Sequence, residues 1–414
     1  MDTPEQDRPA SGSGASHDVV VVGGGLVGAS LAIALERIGV DVALVEAAAP
    51  GALPAVFDER NLSFAEATVN ALATLGVMPL LRMPAAPIRC IHASRRGDFG
   101  RVLLEARDYG RDAFGQVVVA RDFGEALEAR LAGLPRITRY RPARFLGLAP
   151  AASGERRLRL AGEAGEAIVG ARLLVAADGA RSSVREALGI GVEEHDYGQV
   201  LFVARVRTSR APDGTAWERL GDHGPTALLP RGDGHYGVVH GVDAAHADEV
   251  AALDDDAFLA RLQAAFGWRA GRFLATGPRS RYPAMRVAAA SLAASRAVLV
   301  GNAAQSVHPL GAQGFNLGLR DALTLAELLE GASDPGSDAL LDEYARRRVA
   351  DRERTVAFSD GLARFTATPG SLPRLLRAAG MAAVDRLPAL QGWVVGGAMG
   401  YRGEVPRLSR GGSA

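Results

Sequence analysis

Two glycine-rich stretches have the residue types and spacing to bind a phosphate-bearing ligand. In the first, the apolar run Val19–Val22 leads into Gly23-x-Gly25-x-x-Gly28, and apolar residues then recur at helical spacing. A helix that begins at such a loop offers backbone N–H groups and a positive dipole end to a pyrophosphate. A second apolar strand ends in Glu46, about twenty residues beyond the glycines, where an acid can bind ribose hydroxyls. Together these features predict a dinucleotide site, whereas the glycines alone would indicate only a tight turn.

The second stretch repeats this arrangement in the C-terminal third of the chain. The apolar run 297–300 ends at Gly301, and a loop of small residues leads from Asn302 into a segment with leucines at helical spacing. Gly314 permits the backbone to approach a flat or anionic ligand closely. Asn316 lies where the helix should begin, so we expect it to cap that helix.

His308 is the titratable residue of this second loop, and Pro309 follows it. A histidine can transfer a proton near neutral pH, which would give the loop a catalytic role. The other interpretation, which we favour, is a histidine that is only hydrogen-bonded within the loop.

A third motif, Asp178-Gly179, ends another apolar strand, and Arg181, Ser182 and Ser183 begin a helical turn after it. Such a pair can be a simple turn. Its position at the end of a strand, where open α/β sheets bind ligands, favours a role in binding.

Composition limits the classes of function. The chain has 414 residues, enough for two domains, and 47 basic residues balance 47 acidic ones. A net charge of zero gives no indication of a nucleic-acid partner. The single Cys90 excludes an internal disulfide and a multi-cysteine metal cluster, and it is typical of a cytoplasmic protein. The histidine spacing matches no metal site.

The polar first sixteen residues are expected to form a disordered tail, and the change in composition over about residues 190–285 indicates a strand-like second domain. Leu372–Leu376 and Met381–Leu387 have the pattern of short amphipathic helices in a C-terminal helical region. The family resemblance described below implies that the remainder is a discontinuous, Rossmann-like ligand-binding domain and that 76–109 belongs to the second domain. Their ranges are 1–16 for the tail, 17–75, 110–190 and 285–360 for the first domain, 76–109 and 191–284 for the second, and 361–414 for the helical region. The apolar stretch Gln391–Gly400 is too short to span a bilayer. It is either a helix packed on the main body or a surface for a membrane or partner.

The three motifs, in this order and together with His308-Pro309 and Gln313-Gly-Phe-Asn316, resemble the FAD-dependent aromatic hydroxylases of the p-hydroxybenzoate hydroxylase fold. The likeness spans about residues 17 to 400 and is greatest to the ubiquinone-biosynthesis branch. It implies an α/β fold with a Rossmann-like FAD-binding domain, an inserted β-rich substrate domain and C-terminal helices. Asn302 stands where the wider family has Asp; an amide retains an acceptor for a ribityl hydroxyl, so we expect FAD binding to persist.

The resemblance also implies the roles of individual residues. The residues assigned to cofactor binding are Gly23, Gly25, Gly28, Glu46, Arg60, Arg121, Asp178, Gly179, Gly301, Asn302, Gly314, Phe315 and Asn316. His308, Pro309 and Gln313 belong to the loop assigned to catalysis. NAD(P)H would visit transiently to reduce FAD, O2 would add at flavin C4a, and the hydroperoxide would give one oxygen to the ring of a phenol.

The implied substrate is a phenol with a polyprenyl tail, and we expect Leu228 and Leu229 to line the pocket for that tail. The implied location is the cytoplasm, with peripheral contact at the inner membrane or with a biosynthetic complex through the C-terminal region. A flavin-dependent reductase or dehydrogenase of the same fold is the alternative, and a non-enzymatic member of a quinone-biosynthesis assembly is a second one.

Overall fold

The computed structural model describes residues 7–8, 14–54, 58–151, 154–308, 310–368 and 370–411. Its first layer is a largely parallel sheet whose central strands are valine-rich and buried on both faces. The strands of this sheet, numbered in chain order, are β1 (Asp7–Arg8), β2 (Ser16–Val22), β3 (Val42–Val45), β9 (Ile137–Tyr140), β10 (Ala143–Ala149), β11 (Arg156–Gly162), β12 (Gly165–Ala176), β19 (Ala293–Ala294) and β20 (Ala297–Leu299). The order β1-β9-β3-β2-β12-β11-β10 places β2 near the centre, and β20 pairs with the carboxyl end of β12.

Parallel pairing brings the three predicted ligand-binding motifs to one edge of this sheet. Val22, the last residue of β2, lies opposite Ala176, the last residue of β12. Ala176 in turn lies opposite Leu299, the last residue of β20. The loops that follow these three strands carry the first glycine motif, the Asp178-Gly179 turn and the second glycine loop, so all three open on the same side.

Helices cover this sheet and extend beyond it. They are α1 (Leu26–Arg37), α2 (Glu66–Thr74), α3 (Ala120–Ala132), α4 (Ser183–Ala187), α5 (Ala247–Ala251), α6 (Asp255–Phe266), α7 (Gly314–Leu329), α8 (Asp338–Ala367), α9 (Ser371–Arg386) and α10 (Pro388–Ala398). α1 packs against both α7 and α3, and its side chains Leu31, Ile33 and Leu35 are fully buried. Among the described residues, no helix has both the length and the apolar character that crossing a bilayer requires.

A second large sheet forms the β-rich part of the molecule. Its strands are β6 (Cys90–Arg95), β7 (Arg101–Glu105), β13 (Val192–Thr208), β14 (Thr215–Gly221), β15 (Gly224–Pro230), β16 (Tyr236–Asp243), β17 (Phe273–Thr276), β18 (Ser280–Ala289) and β21 (Gln305–Ser306). They lie in the order β21-β18-β13-β16-β15-β14-β6-β7, with β17 on β13. A small sheet of β4 (Asn61–Ala65), β8 (Gly115–Val119) and β5 (Ala86–Pro87) joins the two large ones. The expected α/β class with a β-rich insertion is confirmed.

Two segments differ from the sequence expectation. The region from 190 to 285 was expected to be strand-like, yet it contains α5 and α6. α6 forms because the Asp254 carboxylate accepts a hydrogen bond from the Ala257 N–H at 2.8 Å, and Phe258, Leu262 and Phe266 share one buried face. Residues 372–387 were expected to form two short helices, but α9 is continuous.

Domain limits can be compared with these elements. The second sheet takes strands from within 76–109 and 191–284, and β18 runs past residue 285 to Ala289. Asp7–Arg8 pairs in parallel with Arg139 and Tyr140, so it forms a strand inside the stretch for which the sequence predicts a tail.

Candidate active site

A cavity of about 610 Å³ lies between the motif edge of the first sheet and one face of the second sheet. Motif residues form one wall: Gly23, Gly25, Glu46, Asp178, Gly179, Asn302, Gln313, Gly314, Phe315 and Asn316. Side chains of β6, β14, β15 and β16 form the opposite wall: Ile91, Ala216, Glu218, Ala227, Leu229 and Val239. The cavity therefore joins a wall of backbone N–H groups and small residues to a wall that is mainly apolar.

The first glycine loop leaves no room for side chains. A Cβ on Gly28 would lie 1.9 Å from the Gly23 carbonyl oxygen, and one on Gly23 would lie 2.5 Å from the Ala177 oxygen. α1 begins after Gly25, and no described side chain caps it. Its first N–H groups are therefore available to an anion at the cavity wall. Close packing and free donors fit the pyrophosphate of FAD.

Glu46 is held in place at the rim of the cavity. One carboxylate oxygen, Oε2, accepts a hydrogen bond from the Gly24 N–H at 2.8 Å, and Oε1 accepts one from the Ala48 N–H at 2.7 Å. These two bonds fix the carboxylate next to the glycine loop, and a carboxylate oxygen can accept further bonds. The position fits the predicted contact with the ribose of the adenosine half.

The second glycine loop rests on a buried ionic cluster. The Gly301 N–H donates to Asp321 Oδ2 at 3.1 Å, and Gln305 Nε2 donates to the same oxygen at 2.7 Å. Arg348 Nε donates to Asp321 Oδ1 at 2.7 Å. These hydrogen bonds fix the loop on the side that faces α7 and α8. Asn302, on the other side, is exposed and lines the cavity, where its amide is available to a ribityl hydroxyl.

Asn316 does not cap its own helix, contrary to the expectation. It lies inside the first turn of α7, and its Oδ1 accepts hydrogen bonds from the Ala65 N–H at 3.0 Å and the Thr68 hydroxyl at 2.8 Å. Its Nδ2 donates to the Ser63 and Ala312 carbonyls. The side chain therefore joins α7 to β4 and α2, and the start of α7 offers the cavity its backbone N–H groups. Those groups and the helix dipole favour negative charge on a bound ligand.

Arg60 and Arg121 occupy different environments. Arg60 lines the cavity, where its Nε donates to Asp58 Oδ1 at 2.9 Å and its guanidinium carbon lies 4.7 Å from the centre of the Tyr282 ring. Arg121 pairs with Glu59 at 3.2 Å, and its side chain is 56% exposed. It lies outside the set of described residues that line the cavity.

Asp178 serves the turn that follows β12. Its carboxylate accepts hydrogen bonds from the Val184 N–H and the Ser183 hydroxyl, both at 3.1 Å, and from the Ser182 hydroxyl. It therefore stabilises the start of α4. Gly179 has a φ of +89°, which a glycine adopts without strain, and it lines the cavity.

His308 faces a separate, smaller cavity of about 260 Å³. Its ring centre lies 4.7 Å from that of Tyr197, its Nδ1 accepts a hydrogen bond from the Leu310 N–H at 3.2 Å, and it is 1% exposed. Burial lowers the pKa of His308 to about 4, so the imidazole is neutral at pH 7.

Gln313 lines the main cavity, and its Nε2 donates to the Gly311 carbonyl. Pro309 lies outside the described residues.

Adjacent residues of β15 point to opposite faces of the second sheet. Leu228 is fully buried in the core formed with α6, so its expected place in the pocket is wrong. Leu229 lines the cavity. Alternation along a strand permits only one of two neighbouring residues to face a given side.

Sequence reasoning missed Glu218. This residue lies in the middle of β14 and lines the cavity from the apolar wall. Its Oε1 is buried and has no hydrogen-bond partner among the described residues. Burial raises the pKa of Glu218 to about 7. The sequence signal that could have identified Glu218 is the alternation of β14, which places this acid on the same face as Ala216 and Leu220.

The chain as a whole matches a known family. Residues 16–359 match the family model described as FAD binding domain. The chain belongs to this FAD-binding family. The cavity geometry agrees with that membership, because the free helix N-termini and the small-residue wall suit this cofactor.

Individual relatives of this FAD-binding protein are hydroxylases. It is 36% identical to the ubiquinone hydroxylase UbiL of Rhodospirillum rubrum, over 99% of this chain and 96% of the relative. It is 30% identical to the 3-demethoxyubiquinol 3-hydroxylase of Escherichia coli, over 90% and 96% of the two chains. The solved structure of p-nitrophenol 4-monooxygenase PnpA from Pseudomonas putida shares the fold, with a TM-score of 0.77, 21% identity and coverage of 94% and 99%. The expectation of a FAD-dependent monooxygenase is confirmed.

Proposed function

We propose that this flavoprotein hydroxylates the aromatic ring of a polyprenylated phenol in ubiquinone biosynthesis, using NAD(P)H and O2. The observation that carries the proposal is the cavity, which places a dinucleotide-binding wall opposite an apolar wall. Its relatives, a ubiquinone hydroxylase of Rhodospirillum rubrum and a 3-demethoxyubiquinol 3-hydroxylase of Escherichia coli, support the substrate class. When bound and reduced by NAD(P)H, FAD would supply the activation of O2, from which one oxygen atom is added to the ring.

The chain's own residues would bind the cofactor, orient the aromatic ring and exclude water. The N-terminus of α1 would hold the pyrophosphate of FAD, and Glu46 would bind the ribose of its adenosine half. The positive dipole end at the N-terminus of α7 would stabilise the negative charge of the reduced flavin. Ile91, Leu229 and Val239 exclude water and hold the ring and the start of the prenyl tail.

The C-terminal helices support contact with a membrane surface. Ala398 of α10 lines the cavity, while Val395 and Met399 pack against the core beside it. α9, α10 and the residue between them expose apolar side chains: Leu372, Leu375, Leu376, Leu387, Leu390 and Trp393. A polyprenyl substrate resides in the bilayer because of its apolar tail. We therefore assign these helices to the approach of the substrate from the membrane to the cavity.

One experiment tests the proposed activity. The purified protein is examined by visible spectroscopy, and NAD(P)H and O2 consumption are followed with a short-chain prenylated phenol while the product mass is measured. We expect a yellow protein and a product that gains one oxygen atom. Oxidation of NAD(P)H without that gain would indicate a reductase, and a colourless protein that binds no added FAD would contradict the cofactor site.

A further inference from the structure

Glu218 is an acid within an otherwise apolar surface. In the register of the second sheet, it lies between Ala227 of β15 and Ala93 of β6. Its neighbours on the same face of β14 are Ala216 and Leu220. Among the described residues through which this sheet lines the cavity, Glu218 is the one ionisable side chain.

The carboxyl group of Glu218 accepts no hydrogen bond from the part of the chain that the structure describes. Its Oε1 is buried and has no hydrogen-bond partner among the described residues. The other two acids of the cavity wall differ in this respect, because Glu46 and Asp178 accept hydrogen bonds from backbone N–H groups. A buried acceptor without a donor destabilises the fold, so such a group requires an explanation. A donor on a ligand in the cavity supplies one.

A ligand donor that reaches Glu218 would lie across the cavity from the wall formed by the glycine loops. A ring that lies between the two walls presents one edge to Glu218 and another to the flavin side, where Gly314 and Phe315 line the cavity. The substrate class of the proposed function carries a phenolic hydroxyl, which is a hydrogen-bond donor. The neighbours Ala227 and Ala93 provide no competing donor.

We propose that Glu218 binds the phenolic hydroxyl of the substrate and accepts its proton as the ring is hydroxylated, an inference that rests on the proposed function. The ring carbon takes one oxygen atom of the O2 that reduced FAD would activate, so the new C–O bond forms as the O–O bond breaks. The second oxygen atom leaves as hydroxide, takes up the proton that the ring carbon later loses, and departs as water. As the C–O bond forms, the phenolic O–H bond breaks and its electron pair becomes a carbonyl double bond. The proton moves to the Glu218 carboxylate. When the ring carbon then loses its own proton and the ring becomes aromatic again, Glu218 returns its proton to the carbonyl oxygen.

The environment of Glu218 suits this role. Burial raises its pKa to about 7, so the group exists in both protonation states near neutral pH. A general base of this pKa is effective because it is ionised in part and yet basic enough to accept a proton. Binding the hydroxyl at a fixed point also determines which ring carbon faces the flavin, so Glu218 contributes to the position of hydroxylation.

The first test measures turnover of the holoenzyme. Glu218→Gln removes the base and preserves the shape, and we expect kcat/KM for product formation to fall by about 100-fold, the lower end of the usual effect of a general base. The rise in rate through neutral pH should disappear in this variant. Glu218→Asp should restore part of both. Glu163→Gln, in an exposed turn between β11 and β12, is the matched control and should behave as the wild type.

The second test measures binding through the change in flavin absorbance. The wild type should bind a short-chain prenylated phenol about tenfold more tightly than its methyl ether, the effect of one hydrogen bond of about 1.4 kcal/mol. Glu218→Leu should abolish that preference. If Glu218→Gln keeps the wild-type rate and pH profile, or if Glu218→Leu keeps the preference, the proposal is wrong while hydroxylation stands. A wild type that adds no oxygen contradicts the proposed function instead, and the binding comparison still decides whether Glu218 holds the hydroxyl.

Discussion

Arg348 Nε donates to Asp321 Oδ1 at 2.7 Å, and the two side chains are 1% and 2% exposed. Asp351 accepts a hydrogen bond from Arg348 Nη2 at 2.7 Å and from Arg320 Nε at 2.8 Å, which extends the cluster from α7 to α8. Because the second oxygen of Asp321 accepts a hydrogen bond from the Gly301 N–H, the cluster links the packing of two helices to the position of the second glycine loop.

Replacing one member of this cluster should affect both stability and cofactor binding. Asp321→Asn leaves Arg348 buried without its full counter-charge, and loss of one partner of a buried pair costs about 3 to 5 kcal/mol. We expect the melting temperature to fall by about 3 to 6 °C and FAD affinity to weaken. Calorimetry and FAD titration measure the two effects. Asp342→Asn, at an exposed position of α8, is the control; equal effects in both variants would contradict the role of the cluster.

The first glycine loop gives a sharper test of the cofactor site. In Gly28→Ala the new Cβ would meet the Gly23 oxygen at 1.9 Å, so the backbone of the loop must shift. We expect the purified variant to lose most of its flavin colour. Gly380→Ala, in α9, introduces a Cβ with no described atom within 4 Å and should retain FAD. Full FAD occupancy in Gly28→Ala would show that the pyrophosphate does not lie at this loop.

The two neighbours in β15 distinguish the cavity from the core. Leu229→Arg introduces a charge into the apolar wall, so we expect product formation to fall by at least about 100-fold while FAD stays bound, because a buried unpaired charge is strongly disfavoured. Leu229→Met keeps the volume and should remain active. In contrast, Leu228→Arg should prevent folding, since Leu228 is fully buried in the core against α6. Normal turnover by Leu229→Arg would place the substrate elsewhere.

Two buried groups should give opposite pH dependences of stability. Burial lowers the pKa of His308 from 6.5 to about 4, so the stability that the neutral imidazole contributes to the fold is lost as the pH falls through this interval. Burial raises the pKa of Glu218 from 4.5 to about 7, so stability is lost as the pH rises through that interval. Each group changes the free energy of unfolding by up to about 3 kcal/mol. Between about pH 5 and 6.5 the two changes have opposite signs and nearly cancel.

Single variants should therefore reveal each effect in thermal unfolding followed across pH. Glu218→Gln should leave a melting temperature that rises with pH from about 4 to 6.5, and His308→Gln one that falls from about 4.5 to 7. The wild type should vary less than either variant in the shared interval. Parallel curves for all three proteins would contradict this assignment.

The sequence predicted the cofactor half of the site because its information is local. Gly23, Asp178 and Gly301 each follow a contiguous apolar strand, and parallel strands place their carboxyl ends on one edge. These motifs could therefore be located from their immediate neighbours. The resemblance to a known fold supplied the rest of that half.

The substrate half could not be predicted in the same way. Whether Leu228 or Leu229 faces the cavity depends on strand register, where a shift of one residue exchanges the two faces. The role of Asn316 depends on Ala65 and Thr68, which are distant in the sequence. That Glu218 Oε1 has no hydrogen-bond partner among the described residues becomes visible only when three strands are assembled around it.

The outer face of α9 and α10 should bind an anionic bilayer. Leu372, Leu375 and Leu376 follow helical spacing and are 65%, 66% and 53% exposed, and burial of each leucine contributes about 1.5 to 3 kcal/mol. Arg374, also on α9, is 60% exposed but pairs with the buried Asp98 at 3.0 Å, so the leucines and not this charge carry the expected binding. We expect the wild type to float with vesicles of phosphatidylcholine and phosphatidylglycerol. The double variant Leu372→Ser with Leu375→Ser should reduce the bound fraction at least about tenfold.

The control is Trp268→Ser, in the loop after α6, which removes an exposed apolar side chain from the other domain and should not change flotation. If the double variant floats as the wild type does, these helices are not the membrane surface; if it loses flotation but keeps activity on a short-chain phenol, the face serves delivery of the substrate and not the chemistry.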